Sequence, residues 1–378
     1  MNEFRAKRVL IASGGTGGHF YPGLALANEL RARGGWEPLF LVKKNDISIG
    51  ALRKDYYPYA EIDMTSLPRS LNPLAHAAFF RRLAGSVLAC LRILADFKPV
   101  FVVGTGSYVS FPAVVAAALK GVPSIIHDSN AVPGLANRLS ARFATRVALG
   151  LPVRNNPFAA KSELTGTPIR ELFSGTLPAA QAKLQFGFGP DSPVLLVFGG
   201  SQGSRKINQA VLEAAEKFTA ERVAFQLLHI TGKRDHTEFL EKYRAKGLDK
   251  VPGIKLLEYC ESMGAAYAAA DIVVSRSGGS TISELARLKK PSILVPLPGS
   301  PGDHQKANAE VLAGAGTALL IEETPAFKND LQLAVKKLLE DPTSLDAMKR
   351  RFSELSLPDP LLAAGALRMI MEKNMDRI

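Results

Sequence analysis

Four short glycine clusters, each directly after an apolar run, constrain the fold of this chain more than any other feature. They occupy residues 14–18 (GGTGG), 104–106 (GTG), 199–203 (GGSQG) and 277–279 (SGG). Glycine allows positive φ and a close approach of the backbone to a ligand, and a helix that begins there directs N–H groups at anions. Two clusters in each half of the chain predict two Rossmann-like domains that face each other across a phosphate-binding cleft.

The apolar runs alternate with helical patterns in two series, from residue 7 to about residue 150 and again from residue 193. Such alternation with continuously apolar strands is typical of parallel sheets covered on both faces. A chain of 378 residues also exceeds what one hydrophobic core usually holds. We therefore predict an α/β protein with one domain over residues 1–165 and another over residues 175–355. A helical stretch over residues 361–373 is a candidate to pack back onto the first domain.

The formal net charge of +12 indicates an anionic partner. Aromatic residues make up only 7% of the chain and no nucleic-acid recognition signature is found, so we expect no nucleic acid. The anionic cytoplasmic leaflet of a membrane is the other candidate. Neither a signal peptide nor a bilayer-spanning apolar stretch is apparent. We expect a cytosolic protein in which Cys90 and Cys260 are reduced and buried.

The first cluster continues into GGTGGHFYP, which places His19 just inside the start of a helix. That helix begins at the carboxyl edge of a predicted parallel sheet, where ligands of α/β proteins bind. A histidine there can cap the helix or lie at the surface. It can also act as a general base, because imidazole titrates near neutrality. We favour the general base.

A second polar cluster, SRSGGSTISEL, offers the hydroxyls of Ser280 and Thr281 and a helix N-terminus to a phosphate. Glu284, one turn into that helix, is either a capping-box glutamate or a ligand of two ribose hydroxyls. The segment PLPGSPGDHQKANA then brings His304 and Gln305 onto a loop that enters a helix. These side chains are either solvated or bind sugar hydroxyls.

Several other catalytic patterns are missing from the sequence. It contains no P-loop lysine, no zinc-type ligand spacing and no D-x-D pair. The order GGTGGH also differs from the dinucleotide fingerprint G-x-G-x-x-G. We expect neither a metal site nor a required cofactor.

Seven segments follow one another in the order seen in the MurG family, which this chain resembles. They are GGTGGHFYPGLALA, GTGSYVSFP, HDSN, TGTPIR, VFGGSQGSRKIN, SRSGGSTISE and PLPGSPGDHQKANA. The family comprises bacterial N-acetylglucosaminyltransferases that convert lipid I to lipid II in peptidoglycan synthesis, a step linked to cell shape and division. The resemblance implies the GT-B fold, in which two Rossmann-like domains face each other and the C-terminal one holds most of the UDP-GlcNAc.

The resemblance also implies roles for individual residues of the first domain. Thr16, Gly17 and Gly18 would approach the pyrophosphate of donor and acceptor. Asn130 and Arg170 would line the donor sugar and its diphosphate.

In the second domain the residues implied by the resemblance surround the donor. They are Ser201, Gly279, Ser280 and Thr281 at the phosphates, Cys260 where a backbone group meets uracil, Glu284 at the ribose, and Gln305 with the adjacent His304 at the N-acetylglucosamine hydroxyls.

The chain departs from the family pattern at four loop positions. Asp128 and Ser129 stand where glutamate and glutamine are more usual, Thr167 replaces a common asparagine, and Ser107 replaces a third glycine. These departures concern the loops of the first domain.

The stretch over residues 67–94 (LPRSLNPLAHAAFFRRLAGSVLACLRIL) bears on where the protein is located in the cell. Phe79 and Phe80 adjoin Arg81 and Arg82. Such a stretch is either an ordinary amphipathic core helix or a patch that inserts among anionic head groups. The resemblance favours a peripheral protein on the cytoplasmic face of the bacterial plasma membrane, with other cell-wall synthesis and division proteins as further candidate partners.

The activity implied is that of an inverting hexosyltransferase. It would move N-acetylglucosamine from UDP-GlcNAc to the C4 hydroxyl of the muramoyl sugar of undecaprenyl-diphosphate-linked lipid I, with His19 as the base. Three alternatives stay open: a UDP-GlcNAc 2-epimerase, a GT-B transferase with another acceptor, and a non-catalytic regulator that binds a UDP-sugar.

Overall fold

The computed structural model describes residues 6–68, 72–170, 177–200 and 202–375, and the chain forms two compact units. The first unit contains residues up to Arg170 together with the C-terminal residues from Pro358 onward, and the second contains residues 171–357. Within the described residues each unit is built around a parallel β-sheet flanked by helices. The predicted class of two α/β domains with parallel sheets is therefore confirmed.

In the described part of the first unit, the sheet has seven strands in the order β3-β2-β1-β4-β5-β6-β7, and all neighbours are parallel. The strands are β1 (Lys7–Ala12), β2 (Trp36–Lys43), β3 (Tyr59–Ile62), β4 (Phe101–Gly104), β5 (Ser124–Asp128), β6 (Arg146–Leu149) and β7 (Ser162–Leu164). Ile11 of β1 pairs with Phe40 of β2 on one side and with Val103 of β4 on the other. The central strands are buried, as expected for apolar strands between two helical layers.

The helices of the first unit cover this sheet and carry the chain between parallel strands. They are α1 (Gly17–Arg33), α2 (Ile49–Lys54), α3 (Pro73–Phe97), α4 (Ser110–Leu119), α5 (Leu135–Ser140) and the C-terminal α14 (Ala363–Met375). Helix α14 packs against α1 through Leu367, Ile370 and Met371, which join the cluster of buried residues under β1 and β2. Arg368 Nε also lies 3.3 Å from Glu29 Oε1 of α1.

In the described part of the second unit, six parallel strands follow the order β10-β9-β8-β11-β12-β13. They are β8 (Val194–Phe198), β9 (Gln226–Ile230), β10 (Ile254–Leu257), β11 (Ile272–Ser275), β12 (Ser292–Leu294) and β13 (Ala318–Leu320). The helices are α6 (Ala179–Gln185), α7 (Arg205–Ala220), α8 (His236–Ala245), α9 (Met263–Ala269), α10 (Gly279–Leu288), α11 (His304–Gly314), α12 (Phe327–Glu340) and α13 (Pro342–Arg351).

In each sheet, two glycine clusters follow the two neighbouring central strands. The strand order changes direction between β1 and β4 in the first unit and between β8 and β11 in the second. The clusters at residues 14–18 and 104–106 end β1 and β4, and those at 199–203 and 277–279 follow β8 and β11. Ligands of open α/β sheets bind outside the carboxyl ends of the strands at such a switch point. Each unit therefore has a ligand-binding edge bordered by two glycine turns.

Both cysteines are free and buried, as predicted from their apolar neighbours. Cys90 lies within α3, where burial raises the pKa of its thiol to about 12. That thiol stays protonated at neutral pH and packs as a small apolar side chain.

Candidate active site

The first glycine turn leads directly into α1. Gly14 and Gly15 have φ of 132° and 82°, values that favour glycine, and Gly15 N donates a 2.8 Å hydrogen bond to Asp46 Oδ2. Thr16 is the N-cap of α1, but its hydroxyl does not cap the helix. Gly17 and Gly18 form the first turn, whose N–H groups have no partner within a helix. Thr16, Gly17 and Gly18 thus lie together at a helix N-terminus suited to an anion.

His19 follows in the same turn, and its imidazole is oriented by the second glycine turn. Nδ1 lies 3.2 Å from the carbonyl oxygen of Thr105. Because a carbonyl only accepts, Nδ1 carries the proton and the basic lone pair is on Nε2. The Thr105 hydroxyl in turn donates to the His19 carbonyl oxygen at 2.7 Å. The ring is therefore held in the tautomer that a general base requires.

The second glycine turn packs closely against the imidazole of His19 and has an unusual backbone conformation. A Cβ at Gly106, which has φ of 98°, would overlap with His19 Nδ1. Ser107 has φ of 72°, in the left-handed region where glycine is preferred. Ser107 therefore adopts a strained backbone conformation for a residue with a side chain.

The loop after β5 is organised by Asp128. Its Oδ1 accepts hydrogen bonds from Asn130 N at 2.9 Å and Asn130 Nδ2 at 3.1 Å. Its Oδ2 accepts from Gly134 N at 3.0 Å and Asn137 Nδ2 at 2.8 Å. Asp128 therefore holds Asn130 at the edge of the sheet. Burial lowers the pKa of the preceding His127, so that imidazole is neutral.

The guanidinium of Arg170 lies over the ring of Tyr21, with Cζ 4.4 Å from the ring centroid. Tyr21 belongs to α1, one turn beyond Gly17. This cation–π contact brings Arg170 to the N-terminal part of α1, where the Tyr21 ring lies beside Gly17.

In the second unit the turn after β8 packs against the turn after β9. A Cβ at Gly203, which has φ of 73°, would overlap with the Thr231 carbonyl oxygen, so only glycine allows this approach. The predicted phosphate ligand Ser201 lies outside the described residues. Asn208 of α7 supports the same region by donating to the Thr231 carbonyl oxygen at 3.0 Å.

Arg276, directly after β11, ties this turn to its neighbours. Its Nη2 bonds to Ser204 Oγ at 2.8 Å and lies 2.6 Å from Glu323 Oε1. Its Nη1 donates to the carbonyl oxygens of Val295 and Pro296 at 3.1 and 3.0 Å. The guanidinium therefore acts as a structural brace of the loops at this edge.

Helix α10 begins at the fourth glycine cluster. Gly278 is its N-cap, and Gly279, Ser280 and Thr281 form its first turn, the place expected for phosphate ligands. Glu284 is one turn further along. The hydroxyl of Tyr267 donates to Glu284 Oε2 at 2.9 Å, which orients the carboxylate.

The loop before α11 places Gln305 and His304 at the same edge. Gln305 Oε1 accepts a 2.9 Å hydrogen bond from Leu297 N, and its carbonyl oxygen accepts from Ser277 Oγ at 2.6 Å. His304 Nδ1 lies 2.9 Å from the Pro301 carbonyl oxygen. Cys260, the predicted neighbour of uracil, follows β10 and is buried.

Sequence reasoning missed three residues that hold these side chains: Asp46, Tyr267 and Arg276. Each had a signal. Asp46 and Arg276 are charged residues shortly after buried strands, and Tyr267 is the only aromatic residue in the alanine-rich helix α9. In the described ranges no group of three or more His, Cys, Asp or Glu side chains comes together as a metal site.

The candidate membrane patch on α3 is corrected in part. Phe80 is 59% exposed, whereas Phe79 is only 9% exposed and packs with Cys90 and Leu94 in the core. Consecutive helical residues point about 100° apart, so two adjacent phenylalanines rarely share one face. Only Phe80 belongs to the surface.

Two models of one glycosyltransferase family match the sequences of the two units. The model of the glycosyltransferase family 28 N-terminal domain matches residues 9–149, and that of the family 28 C-terminal domain matches residues 194–360.

Relatives extend this match to nearly the whole chain. The UDP-N-acetylglucosamine–N-acetylmuramyl-(pentapeptide) pyrophosphoryl-undecaprenol N-acetylglucosamine transferase of Elusimicrobium minutum is 40% identical, covering 97% of this chain and 99% of the relative. The protein of the same name from Desulforudis audaxviator is 39% identical, covering 94% and 95%.

Solved structures share the fold. The crystal structure of MurG from Acinetobacter baumannii superposes with a TM-score of 0.74 and 25% identity, covering 97% of this chain and 99% of that one. A putative UDP-N-acetylglucosamine 2-epimerase from Listeria monocytogenes superposes with a TM-score of 0.67 at 16% identity, covering 99% and 98%. The second likeness concerns the fold alone.

Proposed function

Because the chain belongs to glycosyltransferase family 28, we propose that it transfers N-acetylglucosamine from UDP-GlcNAc to the C4 hydroxyl of the muramoyl sugar in undecaprenyl-diphosphate-linked lipid I. The product is lipid II. The observation that carries the proposal is the coincidence of near full-length similarity to such transferases with a histidine held as a base beside a helix N-terminus.

His19 is the general base of this reaction. The acceptor O4 attacks C1 of the donor sugar as the bond from C1 to the β-phosphate oxygen breaks. The O4 proton passes to His19 Nε2, and the electron pair of the broken bond stays on UDP. The Thr105 carbonyl oxygen, 3.2 Å from Nδ1, stabilises the imidazolium that forms. Attack opposite the leaving group inverts the configuration at C1.

The second unit holds the donor. The first turn of α10, with Gly279, Ser280 and Thr281, faces the diphosphate, and the helix N-terminus stabilises the charge that grows as UDP leaves. Glu284 accepts hydrogen bonds from the ribose hydroxyls, while Gln305 and His304 contact the N-acetylglucosamine. We propose that these groups make a protein-bound metal ion unnecessary, which predicts full activity in the presence of a chelator.

The first unit holds the acceptor at a membrane surface. It carries 24 basic and 13 acidic residues, against 23 and 22 in the second, so nearly all of the net positive charge belongs to it. Residues 129–162 include five basic residues and no acidic one. Anionic lipids attract such a surface, which supports peripheral binding to the cytoplasmic leaflet.

Exposed apolar side chains accompany this charge. Helices α3, α4 and α5 pack side by side. The exposed apolar side chains on and beside them include Leu74, Phe80, Leu88, Leu119, Leu135 and Phe143. Arg81 and Arg82 of α3, Arg138 of α5 and the nearby Arg142 are exposed as well. No helix in the described ranges is long and apolar enough to cross a bilayer.

Incubation with radiolabelled UDP-GlcNAc and a muramoyl-peptide diphosphate on a short prenyl chain tests the proposal. We expect a β-linked disaccharide that forms only when both substrates are present. Release of UDP with formation of a 2-epimer, without acceptor, would favour the epimerase instead. Stoichiometric binding of UDP-GlcNAc with no turnover would favour a regulator.

A further inference from the structure

The turn after β2 reaches under the first glycine turn and buries a carboxylate there. Asp46 is 5% exposed. Its Oδ2 accepts from Gly15 N at 2.8 Å, and its Oδ1 accepts from Ser48 N at 3.0 Å and Ser48 Oγ at 2.7 Å. The carboxylate thus joins two turns that are 31 residues apart in the sequence.

This contact depends on the register of the sheet. Ala12, the last residue of β1, pairs with Leu41 of β2, so the turns that follow these neighbouring strands emerge side by side. A Cβ at Gly14 would lie 3.0 Å from Asp46 Oδ2, closer than real Cβ atoms usually approach. A side chain at this position would push the carboxylate away from the Gly15 N–H, and the φ of 132° at Gly14 also favours glycine.

The carboxylate determines which part of the turn can receive an anion. It takes up the Gly15 N–H and places a negative charge beneath Gly14 and Gly15, where a phosphate would be repelled. The N-terminus of α1, with the N–H groups of Gly17 and Gly18, keeps its positive potential. An anion is thereby directed to the helix end of the turn, next to His19.

We propose that Asp46 is a positioning residue for the acceptor: it fixes the first glycine turn so that the diphosphate of the acceptor binds at the N-terminus of α1. The inference deepens the proposed function and rests on it. Asp46 acts through the backbone of Gly14 and Gly15. Its removal loosens the turn without touching the donor residues of the second unit.

The test compares Asp46→Ala, Asp46→Asn and Ser48→Ala in the full-length protein, with the short-chain muramoyl-peptide diphosphate as acceptor. Ser48→Ala is the matched control, because it removes a hydrogen bond to the same carboxylate but leaves the contact with Gly15. Asp46→Asn keeps an oxygen for the Gly15 N–H and loses the charge. The inhibition constant of a soluble prenyl diphosphate is the second measured quantity, because it reports binding of the diphosphate separately from the rate of transfer.

We expect Asp46→Ala to raise the acceptor KM and the inhibition constant of prenyl diphosphate about tenfold or more, as for loss of a hydrogen bond to a charged group. Asp46→Asn should give a smaller increase and Ser48→Ala almost none, while the donor KM stays unchanged in all three. If Asp46→Ala fails to fold, Asp46→Asn compared with Ser48→Ala decides.

The inference would be overturned if the folded Asp46 variant had the same acceptor KM as Ser48→Ala. It would also be overturned if the Asp46 variant raised the donor KM as much as the acceptor KM. Absence of transfer by the unmodified protein would instead overturn the proposed function. The two failures are therefore distinguishable.

Discussion

Tyr267 donates its hydroxyl hydrogen to Glu284 Oε2 across a distance of 2.9 Å. Tyr267 is fully buried in α9, and its ring packs edge-on against Phe198, the last residue of β8. The hydrogen bond therefore links the strand before the third glycine cluster to the carboxylate that we assign to the ribose. The carboxylate of Glu284 in α10 is thus held in one orientation, in which it can accept further hydrogen bonds.

We predict that Tyr267→Phe raises the KM for UDP-GlcNAc about tenfold, the typical effect of removing a hydrogen bond to a charged group. The value of kcat should change little, because ribose contacts are the same in ground and transition states. In a Glu284→Ala background, which itself raises the donor KM, the tyrosine substitution should add nothing. Steady-state kinetics of the four proteins check this.

Tyr57→Phe is the control, since the Tyr57 hydroxyl is also buried and donates to Asn28 Oδ1 at 2.7 Å, outside the candidate site. A donor KM that rises equally in Tyr57→Phe and Tyr267→Phe would contradict the assignment.

Gly106→Ala should lower kcat by about tenfold or more, because the added Cβ overlaps with His19 Nδ1 and displaces the base from its reacting position. His19→Ala should lower kcat by about a hundredfold. Transfer rates at saturating substrates give both values.

Gly121→Ala controls for backbone strain. Gly121 has φ of 69°, but a Cβ there meets nothing within 4 Å. Equal loss of activity in both glycine variants would mean that strain, and not displacement of His19, lowers the rate.

His229 should make the second unit less stable in acid. It is fully buried in β9, and burial lowers its pKa to about 3 from a usual 6.5. Below pH 6.5 the unfolded chain binds a proton that the folded chain does not. The free energy of unfolding therefore decreases as the pH is lowered from 6.5 to about 3. The contribution is about 1.4 kcal/mol per pH unit.

His229→Gln removes this titration. Its Nε2 partner Asn208 Oδ1 at 3.1 Å and its Nδ1 partner Tyr243 at 2.9 Å lose their contacts, so the variant is less stable at pH 7.5. At pH 4.5 the difference from the unmodified protein should shrink by about 2–3 kcal/mol. Hydrogen exchange of the β9 amides at both pH values measures this difference in stability. If the difference between variant and unmodified protein did not depend on pH, the folded protein would protonate His229 as readily as the unfolded chain, against the prediction.

Membrane binding should depend on Phe80 and not on Phe79. The triple variant Phe80→Ser, Arg81→Gln, Arg82→Gln should bind anionic vesicles more weakly, since each basic residue near the surface contributes about 1 kcal/mol. Binding of the unmodified protein should decline as salt rises. Turnover of the short-chain acceptor should be retained.

Phe79→Ser is expected to destabilise the first unit, because it removes a buried aromatic side chain. Vesicle cosedimentation and thermal unfolding separate the two effects. If Phe79→Ser keeps its melting temperature and loses vesicle binding, our division between surface and core is wrong.

Much of the fold was predictable because its signals are local. Apolar runs such as VLIA and FVV predict buried parallel strands, and the glycine clusters after them predict the turns. In each unit, the sheet edge that carries its candidate residues follows from the same pattern, because parallel strands bring their carboxyl ends together. The MurG resemblance, carried by seven segments, added the identity of the ligands.

The faces of helices were harder to predict. The pattern around Phe79 and Phe80 is apolar over a broad arc, and the sequence contains no information about which part of that arc meets α4 and the sheet. The packing of α3 buries Phe79 and Cys90 and leaves Phe80 exposed.

By itself the sequence determined the two parallel sheets, the four glycine turns and the residue types at the candidate site. Only the tertiary structure decided which side chains hold the site in place: Asp46 at Gly15, Thr105 at His19 and Tyr267 at Glu284, across 31, 86 and 17 residues. The physical reason is that backbone conformation and the apolar pattern of a strand follow from neighbouring residues. A hydrogen bond between distant segments depends on sheet register and helix packing, which arise only when the whole chain has folded.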